Sequence, residues 1–280
     1  MSASPRPAAA MLPALIVAET RKLLSRPLAR VGIVLSIGLG AAAPFLLWMA
    51  AHSGIQVNES DLGASIDLSA PGALKAAMYL RNLLAAQIVL SVLAAASFAG
   101  ELQTHTLRED LVRPVPRWAV LAAKWAALCG WSVVSIVGQV AVGTAVGAAF
   151  GPTGQAAWSD VLLGYLATAV AEFSVAAVAL AASVWIRSVS GAVTGLVLVL
   201  LFERLATWAG WGLRSLIAGF GGAVPRVFEL LPFTPSSAWS GWAELSVGAP
   251  PSWQIWVALV GWTAIAVIVA ERRFARMDIL

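Results

Sequence analysis

The chain has 280 residues, of which 60% are hydrophobic and only 11% are charged, with a formal net charge of +4. Soluble domains carry about 25% charged residues, so the composition excludes an ordinary water-soluble fold and predicts an all-α integral membrane protein. The basic residues lie between apolar stretches. This placement favours membrane topology, and not nucleic-acid binding, as the source of the positive charge.

The N-terminus combines a short apolar stretch with a basic one. The apolar stretch resembles a signal peptide, but the sequence ETRKLLSRPLAR that follows is typical of a segment that stays in the cytoplasm, so we expect it to be retained. On a helix, Glu19, Lys22 and Arg26 share one face, and Glu19 can pair with Lys22. We therefore predict a tail and an interfacial helix over residues 1–28, ahead of a single transmembrane domain over residues 29–280.

Six apolar stretches are long enough to cross the hydrocarbon core of a bilayer, which takes about 20 residues of helix. They lack the period-two alternation of strands, and an open sheet edge cannot be hydrogen-bonded in lipid, so we predict helices. The predicted transmembrane helices cover residues 29–51, 77–100, 118–150, 161–186, 190–210 and 253–271. Before the last of them, glycines and prolines break the apolar stretch at 211–252, which predicts short external or re-entrant helices in place of a seventh span.

Two pairs of glycines recur at helical spacing, Gly143 with Gly147 and Gly191 with Gly195. Small residues four apart allow two membrane helices to approach closely. The alternative is that glycine is simply abundant in this chain, and the sequence does not decide between the two.

Lys and Arg residues concentrate on one side of the predicted spans. An excess of basic residues marks cytoplasmic loops, so we predict that both termini are cytoplasmic, in agreement with an even number of spans. The prediction is a multi-pass protein of the cell membrane, either inner or plasma membrane. The basic residues on the predicted cytoplasmic side are Arg6, Arg21, Lys22, Arg26, Arg30, Arg108, Arg113, Arg117, Lys124, Arg187, Arg272, Arg273 and Arg276.

Charged residues inside the predicted spans are candidates for an intramembrane pathway or ion pair, above all Arg81, Glu172 and Glu203. A Lys, Arg or Asp at mid-bilayer costs roughly 2.5–3.5 kcal/mol on insertion scales, so a charge there needs a partner or a function. Glu172 lies near the middle of its span. We expect it to face the protein interior, where it either pairs with Arg81 or lines the substrate path. An ion pair that only fixes helix packing is the open alternative.

A polar, charged segment separates the second and third predicted spans, with the sequence ELQTHTLREDLVRPVPRWAVLAAK from Glu101 to Lys124. Read as a helix, it ends at Pro114 and Pro116, because proline is poorly compatible with a continuing helix. A short helix parallel to the membrane and tethered at both ends suits docking of a cytoplasmic partner. The alternative is a solvated loop whose arginines anchor to lipid headgroups.

The same segment carries a pattern of charged, leucine and proline residues: Glu101, Thr106, Leu107, Arg108, Leu111, Arg113, Pro114, Val115, Arg117 and Lys124. This pattern resembles the coupling-helix signature of ABC-2-type transporter permeases, the membrane subunits of bacterial ABC exporters. His105 stands where the family often has Gly, and Pro116 where it often has Ser. The stretch from Glu19 to Arg30 is similar to the family's N-terminal elbow helix, and residues 230–239 are similar to a segment before its last span.

The resemblance implies the permease subunit of an ABC exporter, which forms the translocation pathway and couples to separate ATPase subunits. It also implies a second permease copy, identical or related, within membrane lipid. ATP and Mg²⁺ are expected in the partner ATPase, and no cofactor is expected on this chain. Glu19, Lys22 and Arg26 would belong to the elbow helix. The residues expected to couple to the ATPase are Glu101, His105, Thr106, Arg108, Arg113, Pro114 and Arg117.

The sequence lacks the motifs of an enzyme. A P-loop needs Lys directly after Gly, and no Gly-Lys pair occurs. Hydrolase and peptidase signatures are absent, and His52, His105 and Cys129 are too few and too scattered for a metal site. We therefore expect neither catalysis nor metal binding by this chain. The alternative function is a transporter without ATP coupling, or a scaffold subunit of another membrane complex.

Overall fold

The computed structural model describes residues 8–52, 70–82, 86–107, 115–150, 158–220 and 253–277. Within these ranges the regular elements are all helical, which confirms the all-α prediction. The main helices are α1 (Ala8–Ser25), α2 (Pro27–His52), α3 (Ala70–Leu80), α4 (Ala86–Ala95), α5 (Arg117–Phe150), α6 (Trp158–Ile186), α7 (Val189–Gly219) and α8 (Trp253–Ala275).

Six helical stretches in the described ranges are long and apolar enough to cross a membrane, as the composition predicts. They are Pro27–Met49, Ala86–Gln103, Arg117–Ala149, Val161–Ile186, Val189–Ala206 and Trp253–Ala275. The helix α1 precedes the first of them and turns into α2 at Arg26. The guanidinium of Arg30 donates to the carbonyls of Leu24 and Ser25, at 2.8 and 3.1 Å, and so caps the C-terminal end of α1.

The second span differs from the single regular helix predicted over 77–100. Helix α3 already begins at Ala70, and Arg81 and Asn82 lie in a π-helical turn. Helix α4 then continues into a π-helix over Ala96–Gly100 and one α-helical turn over Glu101–Gln103. Wider π-turns shift the following side chains around the helix axis, which a 3.6-residue periodicity does not anticipate.

The fifth span also differs from its predicted limits, because α7 continues beyond residue 210 to Gly219. Four of the nine added residues, WGLRSLIAG, are good helix formers, and an internal glycine costs only about 1 kcal/mol. The rest of the predicted external segment, from residue 221 to 252, lies outside the described residues.

Helix α5 forms the centre of the bundle, with α1, α2 and α6 packed along it and α8 packed on α6. The approach of α2 and α3 to α5 requires glycine: a Cβ atom on Gly143 would lie 3.0 Å from the carbonyl oxygen of Gly40 and would collide with Leu74. A Cβ atom on Gly147 would lie 2.6 Å from that of Ala70. This glycine pair therefore allows close helix packing.

The second glycine pair has a different environment. The nearest atoms to Gly191 and Gly195 belong to Ile186 and Ser188, in the corner between α6 and α7. Ile186 is the last residue of α6, so these glycines make room for the end of the helix that precedes α7, and Ser188 of the connection also lies against Gly191.

One end of the bundle gathers the segments that the charge distribution places in the cytoplasm. Arg117 at the start of α5 donates to the carbonyl of Phe274 near the end of α8, at 2.8 Å. The guanidinium of Arg273 lies 4.9 Å from the ring of Trp185 near the end of α6. The polar segment after the second span lies at the same end, since Glu101 binds Lys124 of α5. The cytoplasmic orientation of this end stays a prediction.

Candidate functional site

A cluster of five charged side chains joins α1, α5 and the end of the second span. We call it the elbow cluster, and it consists of Glu19, Lys22, Arg26, Glu101 and Lys124. The ammonium of Lys124 donates to Glu19 Oε2 at 2.8 Å and to Glu101 Oε2 at 2.6 Å. Lys22 donates to Glu19 at 3.1 Å, and Arg26 donates to Glu101 at 3.4 Å. The ion pair between Glu19 and Lys22 is the one expected from their spacing.

Lys124 is the centre of the elbow cluster. Its side chain is fully enclosed, and those of Glu19 and Glu101 are 8% and 9% exposed. A buried ammonium is costly unless it is paired and hydrogen-bonded, and here two carboxylates from different elements supply the pairing. Helix α1, which carries Glu19, and the polar segment that begins at Glu101 are therefore both held by the side-chain nitrogen of Lys124 on α5.

The helical turn that holds Glu101 ends at Thr104, and we call residues Thr104–Leu107 the coupling turn, after the role expected of this segment. His105 has a φ of 61°, in the left-handed region, and its N–H donates to the carbonyl of Leu102 at 3.3 Å. Such a residue commonly ends a helix and is usually glycine, since glycine has no Cβ to clash. This geometry accounts for the glycine that the resembled signature often has at this position. Thr104, His105 and Thr106 are exposed.

The predicted coupling residues occupy different environments. His105 and Thr106 are exposed at the coupling turn, whereas Glu101 faces the bundle within the elbow cluster. Arg117 donates to the carbonyls of Phe274, Ala275 and Met277, at 2.8 to 3.0 Å, and so caps the end of α8. Arg108, Arg113 and Pro114 lie outside the described residues.

A second charged cluster lies inside the bundle, between four elements. We call it the mid-bundle cluster, and it consists of Ser36, Arg81, Ser132, Ser135, Gln139 and Glu172. Arg81 binds Glu172 with two parallel hydrogen bonds, from Nε to Oε1 at 2.6 Å and from a terminal nitrogen to Oε2 at 2.9 Å. The hydroxyl of Ser132 also donates to Glu172. The sequence left two outcomes open for Glu172, a pair with Arg81 or a place in the substrate path. The structure shows the pair with Arg81.

The remaining donors of Arg81 are satisfied within the cluster. One terminal nitrogen donates to Ser36 at 2.9 Å and to Gln139 at 3.3 Å, and the other donates to Ser135 at 2.7 Å. The side chains of Arg81 and Glu172 are 1% and 4% exposed. All five N–H groups of a guanidinium are used here, which favours a role in helix packing over a role in lining a path.

The third intramembrane candidate, Glu203, lies on α7, but its side chain is outside the part of the chain that can be described. Its neighbour Arg204 is buried. For metal binding, the described ranges hold no group of three or more His, Cys, Asp or Glu side chains that could hold an ion.

Sequence reasoning did not assign Lys124 to the site, although it noted this residue in the signature. A single lysine near the end of an apolar span is usually read as a topological signal. The signal that could have identified it is its position about two turns inside α5, where an unpaired ammonium would be costly.

The sequence model of one protein family matches residues 15–205 of the chain, and that family is described as ABC-2 family transporter protein. The matched region begins in α1 and ends in α7, so it contains both the elbow cluster and the mid-bundle cluster. No curated protein matches the chain.

Proposed function

The chain belongs to the ABC-2 family of transporters, and on this premise we propose that it is the permease subunit of an ABC exporter driven by separate ATPase subunits. Family membership and six apolar helices make it a multi-pass membrane permease of ABC type. Export, coupling to ATP hydrolysis, cytoplasmic termini and pairing with a second permease copy are parts of the proposal. ATP and Mg²⁺ belong to the partner ATPase in this scheme.

The observation that carries the proposal is the bridge that Lys124 makes between Glu19 and Glu101. A partner that pushes the exposed coupling turn moves Glu101, which lies three residues before it. Because Lys124 holds both carboxylates, that movement reaches α1 and α5 together. An ATPase that binds two conformations of this end with different affinity then shifts the permease between them.

The location of the translocation path is the second part of the proposal. The mid-bundle cluster is neutral and enclosed, and Arg81 fills the space between α2, α5 and α6. This arrangement supports a path along the seam between two permease copies, outside the helical bundle of one chain. The apolar side chains exposed on α2 and α7, such as Leu35, Phe45 and Phe202, are available for contact with a second copy or with lipid.

The coupling proposal is tested with the permease and its ATPase reconstituted together in proteoliposomes. We expect Lys124→Met to abolish transport while the assembled ATPase still hydrolyses ATP, because the push on the coupling turn no longer reaches α1. Lys75→Met is the matched control, since Lys75 lies on α3 outside the elbow cluster and loses the same charge.

Further results decide between coupling to ATP hydrolysis through the elbow cluster and transport that is not linked to ATP. If Lys124→Met fails to fold, the double variant Lys124→Met with Glu19→Gln removes one of the two stranded carboxylates and serves in its place. Transport that is unchanged in a folded variant would refute coupling through the elbow cluster. Transport by the chain without any ATPase subunit would instead support a transporter that is not linked to ATP.

A further inference from the structure

An apolar cavity of about 240 Å³ lies between the start of α5, the second half of α6 and the end of α8. Its lining includes Trp118, Trp125 and Glu271. We propose that this cavity binds an amphiphilic organic cation, with the charged group beside Glu271 and an apolar tail that runs along α8. Neither the elbow cluster nor the mid-bundle cluster lines the cavity, so the proposal does not rest on the proposed coupling function.

The charge of the lining favours a cation. Among the described residues, Glu271 is the one charged side chain that lines the cavity, and the other side chains of the lining are apolar. Glu271 is exposed, so a ligand can reach its carboxylate. Opposite charges attract more strongly beside a low-dielectric wall than in open water, so the carboxylate selects a positively charged group and disfavours an anion.

An aromatic ring lies at the same end of the cavity as this carboxylate. Arg117 donates to the carbonyl of Phe274, three residues after Glu271, at 2.8 Å, and this contact brings the neighbouring Trp118 to that end of α8. The face of an indole attracts an organic cation, most strongly where water is excluded. An apolar cavity with an aromatic wall and one opposite charge therefore suits a quaternary ammonium group.

A second apolar groove, of about 500 Å³, adjoins the first and provides room for the tail. The two share Trp125 and Val267, and the second extends along α8 to Leu259. Trp125 donates from Nε1 to the carbonyl of Phe173 at 3.0 Å, which fixes its ring where the two meet. The distance along the helix from Glu271 to Leu259 is about 18 Å, a length that suits an extended alkyl chain better than a compact cation.

The test measures binding of dodecyltrimethylammonium to the purified full-length chain in phosphatidylcholine nanodiscs, by equilibrium dialysis with empty nanodiscs as background. Dodecyldimethylamine oxide is the matched probe, because it has the same tail and a similar head but no net charge at neutral pH. We expect the wild type to bind it about fivefold more weakly, the factor that corresponds to the loss of one exposed ion pair. Equal binding of the two probes would assign the groove to any lipid tail and overturn the proposal.

The variant Glu271→Gln tests the carboxylate. We expect it to bind the ammonium probe about fivefold more weakly than the wild type and to bind the two probes equally. Arg272→Gln is the control, because Arg272 is the adjacent exposed residue, does not line the cavity and also changes the charge by one. We expect this control to bind both probes within about twofold of the wild type. A gain in Arg272→Gln as large as the loss in Glu271→Gln would show a diffuse charge effect and overturn the proposal.

A third variant tests the location. Ala122→Phe fills the cavity without changing any charge, and we expect it to weaken binding of both probes while the chain unfolds at its usual temperature. If this variant does not fold, Ala122→Leu serves in its place. A folded, cavity-filling variant that binds the ammonium probe like the wild type would place the site elsewhere and refute the assignment.

Discussion

The two charged clusters of this permease differ in the number of their charged side chains and in exposure. In the mid-bundle cluster one cation faces one carboxylate, and the two side chains are 1% and 4% exposed. In the elbow cluster three cations share two carboxylates, and Lys22 and Arg26 reach the surface. The comparison teaches that a neutral, enclosed pair suits a fixed contact between helices, whereas a partly exposed cluster can respond to a partner.

The largest expected effect comes from breaking the mid-bundle pair. Arg81→Met leaves Glu172 as an uncompensated charge inside the bundle, and loss of one partner of a buried pair costs about 3–5 kcal/mol. We expect the free energy of unfolding to fall by that amount, as measured by denaturant unfolding of the purified chain in bicelles.

A double variant separates charge from packing in this experiment. Arg81→Met combined with Glu172→Leu leaves no charge behind, so we expect it to recover most of the lost stability. A double variant that is as unstable as Arg81→Met alone would show that the serines around the pair contribute more than the charges do. Their hydroxyls would then be the groups left unsatisfied.

The elbow cluster should tolerate the loss of a carboxylate better than the mid-bundle cluster tolerates the loss of Arg81. Glu101→Gln leaves Lys124 still bound to Glu19, so we expect a loss of about 2–3 kcal/mol, from a weakened buried charge that keeps one partner. The matched control is Glu271→Gln, an exposed carboxylate near the end of α8, which should change stability by about 0.5 kcal/mol or less.

Function should respond to Glu101→Gln more strongly than stability does. If coupling runs through the elbow cluster, this variant loses transport in proteoliposomes at temperatures where it is fully folded. A variant that is destabilised but transports at the wild-type rate would contradict the distinction between a fixed cluster and a responsive one.

The third prediction concerns the spacing of the helices that hold the mid-bundle cluster. Gly143→Ala places a methyl group against Leu74 and the carbonyl of Gly40, so α2 and α3 must move away from α5. We expect a loss of about 1–2 kcal/mol from this overpacking, measured by the same unfolding assay. Gly130→Ala on the same helix meets open space and should instead be neutral or slightly stabilising.

Much of the fold follows from the sequence, because a bilayer sets a minimum length and an apolar composition for each span. The partnership of Arg81 and Glu172 was also predictable in outline, since opposite charges in two apolar spans have few other ways to be satisfied. Their serine partners were not predictable, because serine is tolerated at many positions in membrane helices.

The environment of Glu101 shows why the elbow cluster was not foreseen. The family resemblance placed this residue with His105 and Arg108, among the residues expected to contact the ATPase. The π-helix at Ala96–Gly100 adds residues to the turn just before it and so changes the direction in which its side chain points. Its burial also depends on α1 folding across α5, a tertiary contact that no local pattern encodes.

The smallest expected effect sharpens the description of the coupling turn. A left-handed conformation costs a non-glycine residue roughly 1–2 kcal/mol, and His105 adopts one with a φ of 61°. His105→Gly removes the clash but adds freedom to the unfolded chain, so we expect the free energy of unfolding to rise by about 1 kcal/mol or less.

The control is Gln103→Gly, at an exposed helical position two residues earlier, which should lower the free energy of unfolding by a similar amount. Opposite shifts of the two unfolding midpoints would confirm that the helix ends before His105 and that His105 is left-handed. A loss of stability in His105→Gly would mean that the imidazole makes a contact worth more than the backbone strain, and the coupling turn would then owe its shape to that side chain.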